Sequence, residues 1–268
     1  MNQNVQMKWI DIGINLTNKR FDKDRQQVIE AALEVGVGRM VITGTSVSES
    51  QRALEIALTM PQVLYSTAGC HPHDAKSLDK HGLETIEELV KNEQVVAIGE
   101  CGLDFNRDFS PRATQIKAFK QQLELAVEIG KPVFLHERDA FDTQYQILKD
   151  YIPALKGAVS HCFTGERKHL EHYLELGLHI GITGWICDER RGIALFNMIE
   201  AIPDNRLMIE TDGPYLTPRS LTPKPKGGRN EPKFLPHIAE TVALARQQNL
   251  QYIADICYSN SCRFFGLD

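Results

Sequence analysis

Two periodicities alternate along this chain. Short apolar runs with the look of strands buried on both faces occupy 9–16, 39–43, 64–68, 132–136, 157–161, 178–183 and 206–210. An eighth starts at Val95 and breaks off at Gly99-Glu100. Between them lie segments with apolar residues at helical spacing, such as Val28, Ala31, Ala32 and Val35, or Ile116, Phe119, Leu123 and Val127. Helices are expected near 22–35, 48–60, 81–91, 140–151, 167–176 and 191–202, with two more closing the chain at 235–248 and 252–264. Ser110 reads as an N-cap with Pro111 in the first turn of a long helix that Gly130 ends. Eight strands alternating with helices predict an α/β fold, a parallel sheet closed into a (β/α)8 barrel, as one domain over 1–268. The competing architecture, an open doubly wound sheet, would place a glycine-rich nucleotide loop after the first strand, and none follows it.

Composition narrows the class without changing the fold. Hydrophobic residues make up 42% and charged residues 24% of 268, enough for a sizeable core in a globular protein. No apolar run has the length of a bilayer span, and the first residues lack the apolar core of an export signal. A cytoplasmic location with no membrane partner, and a monomer, are expected. The six cysteines form no C-x-x-C pair and read as reduced packing residues. A net charge of -5 excludes a globally basic nucleic-acid binder. One stretch departs from that balance: 219–233 carries Arg219, Lys224, Lys226, Arg229 and Lys233 against Glu231 alone.

The chemistry gathers where the strands end. Glu100, His136, His161 and Glu210 each close an apolar run, and Asp104, Arg138 and Asp212 follow shortly after. Asp11 and Asn15 in the first run, and His71 and His73 after the third, add to the set. A barrel brings such positions to one mouth. Imidazoles and carboxylates converging there suit a divalent cation, which polarises an electrophile and lowers the pKa of water toward about 7. Each residue also has an ordinary alternative: Glu210 could accept a neighbouring strand-end amide, and Asp104 could cap a local turn. Phe105, Phe163, Trp185 and Tyr215 sit beside these motifs and could stack bases.

The runs Asp11-Ile-Gly-Ile-Asn-Leu, Ala68-Gly-Cys-His-Pro-His, Ile98-Gly-Glu-Cys-Gly-Leu-Asp, His136-Glu-Arg-Asp-Ala, His161-Cys-Phe-Thr-Gly and Ile209-Glu-Thr-Asp-Gly-Pro-Tyr-Leu together resemble the TatD family of metal-dependent deoxyribonucleases, over essentially the whole chain. The segments around Trp185 and 221–232 resemble the branch that gives the family its name. The resemblance implies metal ligands at Glu100, His136, His161 and Asp212, with Asp212 also the catalytic base. It implies substrate contacts at His71 and Arg138, and a 3'→5' exonuclease acting on the ends of single-stranded DNA or RNA. Most of that family carries His-x-His at the end of the first strand, where this chain has Gly13 and Asn15. The expected cofactor is therefore Mg2+, with Mn2+ or Zn2+ as alternatives, rather than a tightly held zinc pair. The basic stretch, Arg229 included, is expected to meet the phosphates. Two other functions fit the same residues: a small-molecule amide or ester hydrolase, and an inactive binding protein on the same fold.

Overall fold

A computed structural model describes residues 7–267. The strands β1 (Trp9–Ile14), β2 (Val37–Ile42), β3 (Leu64–Ala68), β4 (Val95–Asp104), β5 (Val133–Arg138), β6 (Ala158–Ser160), β7 (His179–Ile182) and β8 (Leu207–Ile209) form one sheet in that order. Every neighbouring pair is parallel. Parallel neighbours need crossovers. These are supplied by α1 (Arg25–Glu34), α2 (Val47–Ala57), α3 (Lys80–Val90), α4 (Arg112–Ile129), α5 (Phe141–Tyr151), α6 (Arg167–Glu175) and α7 (Ile193–Met198). After β8 the chain adds α8 (Leu235–Arg246) and α9 (Leu250–Phe265). The seam between β8 and β1 is drawn together just past the strand ends. There the Asp212 amide donates to Gly13 O at 2.8 Å and the Asn15 amide to Gly213 O at 2.9 Å. This is the (β/α)8 barrel that the periodicity predicts.

Two apolar clusters hold it. The larger lies between sheet and helices and includes Trp9, Ile14, Ile42, Ile98, Phe119, Leu135, Leu170, Ile182 and Leu235. The smaller draws Ile10, Ile12, Val41, Ala97, Phe134, Val159 and Met208 from successive strands, as a barrel interior does, with Phe264, Phe265 and Leu267 packed against it. The β1–β2 register slips between Asp11 and Ile14, and Ile12 and Ile14 fall in different clusters. Among the described residues no helix is long and apolar enough to cross a membrane.

Two local expectations are corrected. β4 does not stop at Gly99-Glu100 but runs on to Asp104, with its register against β5 slipping between Ile98 and Cys101. The extension carries Glu100 and Asp104 on one buried strand. Ser110 does not cap α4. Its hydroxyl donates to His73 O at 2.8 Å and accepts from the Lys76 amide at 3.0 Å, tying the loop after β3 to the loop after β4.

Candidate functional site

One carboxylate oxygen is the focus of the barrel mouth. Glu100 Oε1 lies 2.9 Å from His136 Nδ1, 3.4 Å from His71 Nε2 and 3.4 Å from His161 Nε2. The segment after β3, the strands β4 and β5, and the segment after β6 supply these groups. A buried carboxylate is unfavourable unless positive charge or donors meet it. Here burial pushes the Glu100 pKa up, but the three imidazoles outweigh it and hold it well below the usual carboxylate range. Ligand atoms of His71, Glu100 and His136 lie within 4.8 Å of one another, close enough to share one ion.

The tautomers separate the histidines by role. His71 Nδ1 accepts the His73 amide at 3.1 Å, which leaves the neutral ring's proton on Nε2, facing Glu100. Burial lowers its pKa to about 3, against the pull of Glu100, so the ring is neutral and presents a donor. His136 differs: its Nε2 is buried with no hydrogen bond, and Asp104 Oδ2 stands 3.5 Å away. Burial opposes its charged form, yet the Asp104 and Glu100 carboxylates raise the pKa to about 9. Positive charge is wanted at this spot, and a buried ring nitrogen without a partner beside two carboxylates is a donor set that fits a divalent cation.

His161 is aimed by Glu210. Its Nδ1 meets Glu210 Oε2 at 2.9 Å, turning Nε2 toward Glu100, while Glu210 Oε1 accepts the Cys162 amide at 2.6 Å. Glu210 is thus the acceptor for a neighbouring strand-end amide and also the orienter of a histidine. It is fully buried, and two glycines make room for it. A Cβ at Gly13 would come within 2.2 Å of Glu210 Oε2, and one at Gly181 within 2.4 Å of Glu210 Oε1. Gly13, where most of the family has a histidine, is therefore filled space.

Asp212 lies across the mouth, half-buried. Asn15 Nδ2 donates to its Oδ1 at 2.9 Å and to Gly213 O at 3.1 Å, so the second departure from His-x-His is an amide that fixes a carboxylate. Lost hydration, together with Glu100 and Glu210, raises the Asp212 pKa to about 7 despite the pull of His161. A carboxylate poised near neutrality beside a cation site has the properties of a general base.

These groups floor a cleft of about 920 Å3. A second, of about 620 Å3, adjoins it across Glu137, Arg138, Thr164 and Trp185, which line both. His73 lines the main cleft, its Nε2 at 2.6 Å from Asp104 Oδ2, while Asp104 Oδ1 takes the Asn106 and Arg107 amides at 3.0 Å each. Asp104 therefore caps a turn and holds a histidine at once. Arg138 is exposed on the shared wall. With Lys19 and Arg107 it supplies three cleft cations that enter no ion pair among the described residues. Lys19 and Arg107 escaped sequence reasoning because neither belongs to a strand-end motif: Lys19 sits in a run of mixed charge with Arg20, Asp22 and Lys23, and Arg107 is a solitary cation three residues past β4.

Three of the five cations of the basic stretch are engaged elsewhere. Arg229 grips Asp24 with bonds of 2.8 and 2.7 Å and Glu231 at 2.8 Å, and does not line the cleft. Arg219 pairs with Glu189 at 2.8 Å and Lys233 with Glu231 at 2.7 Å.

A family model described as TatD-related DNase matches residues 10–266. A 3'-5' ssDNA/RNA exonuclease TatD of Rahnella sp. (strain Y9602) is 54% identical over 257 residues, covering 96% of this chain and 98% of its own. Its namesake in Edwardsiella piscicida is 50% identical over 258 residues, covering 96% and 99%. The crystal structure of a TatD-family hydrolase from Entamoeba histolytica superposes with a TM-score of 0.89 at 28% identity, covering 98% of this chain and 99% of that one.

Proposed function

The chain belongs to the TatD-related DNase family, and from that premise we propose that it is a metal-dependent 3'→5' exonuclease acting on single-stranded DNA and RNA. It is a hydrolase of phosphodiester bonds. The observation that carries the reading is the convergence of three imidazole nitrogens on Glu100 Oε1 within 3.4 Å. Glu100, His136, His161 and Asp212 would hold the divalent cation, with Mg2+ the first to test and Mn2+ and Zn2+ next. When bound, such a cation polarises the phosphoryl group and favours hydroxide at neutral pH.

The chain's own groups do the rest. Asp212, its Oδ1 fixed by Asn15, takes the proton of the attacking water. His71 offers its Nε2 proton to a phosphate oxygen, and the free guanidinium of Arg138 meets the phosphate charge. Glu210 keeps His161 in the tautomer and orientation that leave Nε2 available. Arg229 acts here through its grip on Asp24 and Glu231, shaping the loop after β8 rather than touching the strand. A neutral amide or ester substrate is disfavoured by the cations Lys19, Arg107 and Arg138, which line the cleft without an ion pair among the described residues and suit a polyanion.

The test is digestion of 3'-labelled and 5'-labelled single-stranded oligonucleotides with Mg2+, with Mn2+ and with EDTA. Metal-dependent shortening from the 3' end, absent in a folded His161→Ala variant, is expected. Intact strands under every cation would overturn the exonuclease and favour the small-molecule hydrolase.

A further inference from the structure

Of the four aromatic residues beside the motifs, the structure leaves one placed to receive a base along the path of the strand. Phe163 is buried, and Phe105 lines the adjoining cleft but not the main one. Tyr215 lines the main cleft only, its hydroxyl taken by Asn18 Nδ2 at 3.0 Å. Trp185 alone among the aromatic rings described lines both clefts.

It is also held still. Trp185 sits in the short turn Gly184–Cys187 after β7, where its amide donates to Thr183 Oγ1 at 3.3 Å. The Arg191 guanidinium lies over the indole at 4.4 Å, and Arg191 is itself fixed by Asp188 at 2.8 Å. Asp188 is anchored in turn by the Arg190 and Arg191 amides at 2.9 and 3.2 Å. A half-buried indole braced by an ion-paired arginine on a wall between two solvent clefts is a preformed flat surface. A nucleobase is a ligand of matching shape, and stacking serves every base because each has a π face.

We propose that Trp185, braced by Arg191, is the stacking platform for the second base of the bound strand, the base on the retained side of the scissile phosphate. The inference rests on the exonuclease reading above. The terminal phosphodiester must lie at the Glu100 cluster, so the continuing chain has to leave the main cleft. The adjoining cleft opens across the wall that carries Trp185 and the unpaired Arg138, which meets the phosphate as the strand crosses. Stacking consults neither base identity nor the 2'-hydroxyl, so one platform accepts DNA and RNA alike.

The chain has two tryptophans, and Trp9 is buried in β1 at 1% exposure, so changes in intrinsic fluorescence on binding report Trp185. Single-stranded oligonucleotides with a phosphorothioate terminal linkage are titrated in Mg2+, either complete, abasic at the last position, or abasic at the second. Quenching with the first two and its loss with the third is expected. Equal quenching by all three, or none, overturns the proposal without needing any variant to fold. In turnover, Trp185→Ala is expected to raise KM about 5- to 100-fold with kcat little changed. Trp185→Phe should restore most of the loss, and the Ala defect should vanish on a strand abasic at the second position. An undiminished defect on that strand would make the role merely structural and overturn the platform. Quenching that depends on the second base, without any shortening of strands, would retain the platform and overturn the exonuclease. Shortening with base-independent quenching would do the reverse.

Discussion

Glu210 shows how much a single carboxylate decides. Of the residues proposed to hold the cation it hydrogen-bonds His161 alone, yet it sets which nitrogen of that ring faces Glu100. Replacing it by glutamine leaves an oxygen for the Cys162 amide but presents an NH2 to His161 Nδ1, or the reverse if the amide turns over. With NH2 at Nδ1, that nitrogen must accept, and the ring proton moves to Nε2, where a cation would bind. Glu210→Gln is therefore expected to weaken Mg2+ or Mn2+ binding about 10- to 100-fold while the barrel still folds. Melting curves read this directly. Saturating cation should raise Tm of the parent protein, and the variant should need a correspondingly higher concentration for the same shift. An unchanged titration curve would show that Glu210 does not orient the site.

At the scale of elements, the loop after β8 is the place where sequence and structure part. Its cations are contiguous in sequence, and contiguity suggested a phosphate-binding patch. Their partners are not: Asp24 lies 205 positions from Arg229, and Glu189 lies 30 from Arg219. No one-dimensional pattern displays such pairings. Arg229 buckles this loop to the start of α1, also donating to Arg20 O at 2.6 Å. Arg229→Ala is expected to cost roughly 1–3 kcal/mol, between the values for exposed and buried ion pairs, and less in high salt. Urea midpoints at two ionic strengths measure it. Lys224→Ala with Lys226→Ala, at positions without an ion pair among the described residues, should leave the midpoint within about 0.5 kcal/mol of the parent. A large loss of strand affinity in that double variant would return the phosphate-binding role to the loop.

For the whole molecule, the barrel and its polar mouth were legible because both rest on strand order. Apolar runs give the strands, and strand ends give the mouth, so the convergence of Glu100, His136, His161 and Asp212 on one cleft needs no tertiary knowledge. What stayed hidden depends on slips in register. The irregularity in β4 carries Glu100 and Asp104 on one strand, and that in β1 brings Gly13 against Glu210. The far end of the barrel offers a test independent of the site. His179, at the start of β7, has a buried Nδ1 without a partner and meets Phe264 edge-on at 5.0 Å. Burial, aided by Arg206 and Arg263, lowers its pKa to about 4. Between about pH 6.5 and 4 the unfolded chain binds this proton more readily than the folded one, so its contribution is intact above that window and is lost as pH falls through it. His179→Gln should flatten the decline of urea midpoint between pH 7 and 4. Parallel declines in parent and variant would contradict the assignment.

The notch formed by Gly13 and Gly181 also constrains position 13. While Glu210 keeps its present place, a side chain at position 13 needs that carboxylate to move, because a Cβ there would stand 2.2 Å from its Oε2 and disturb the bonds to His161 and Cys162. The tolerance of position 13 is thus set by where one carboxylate sits, and a change there is felt first at His161 and Cys162 rather than at its chain neighbours.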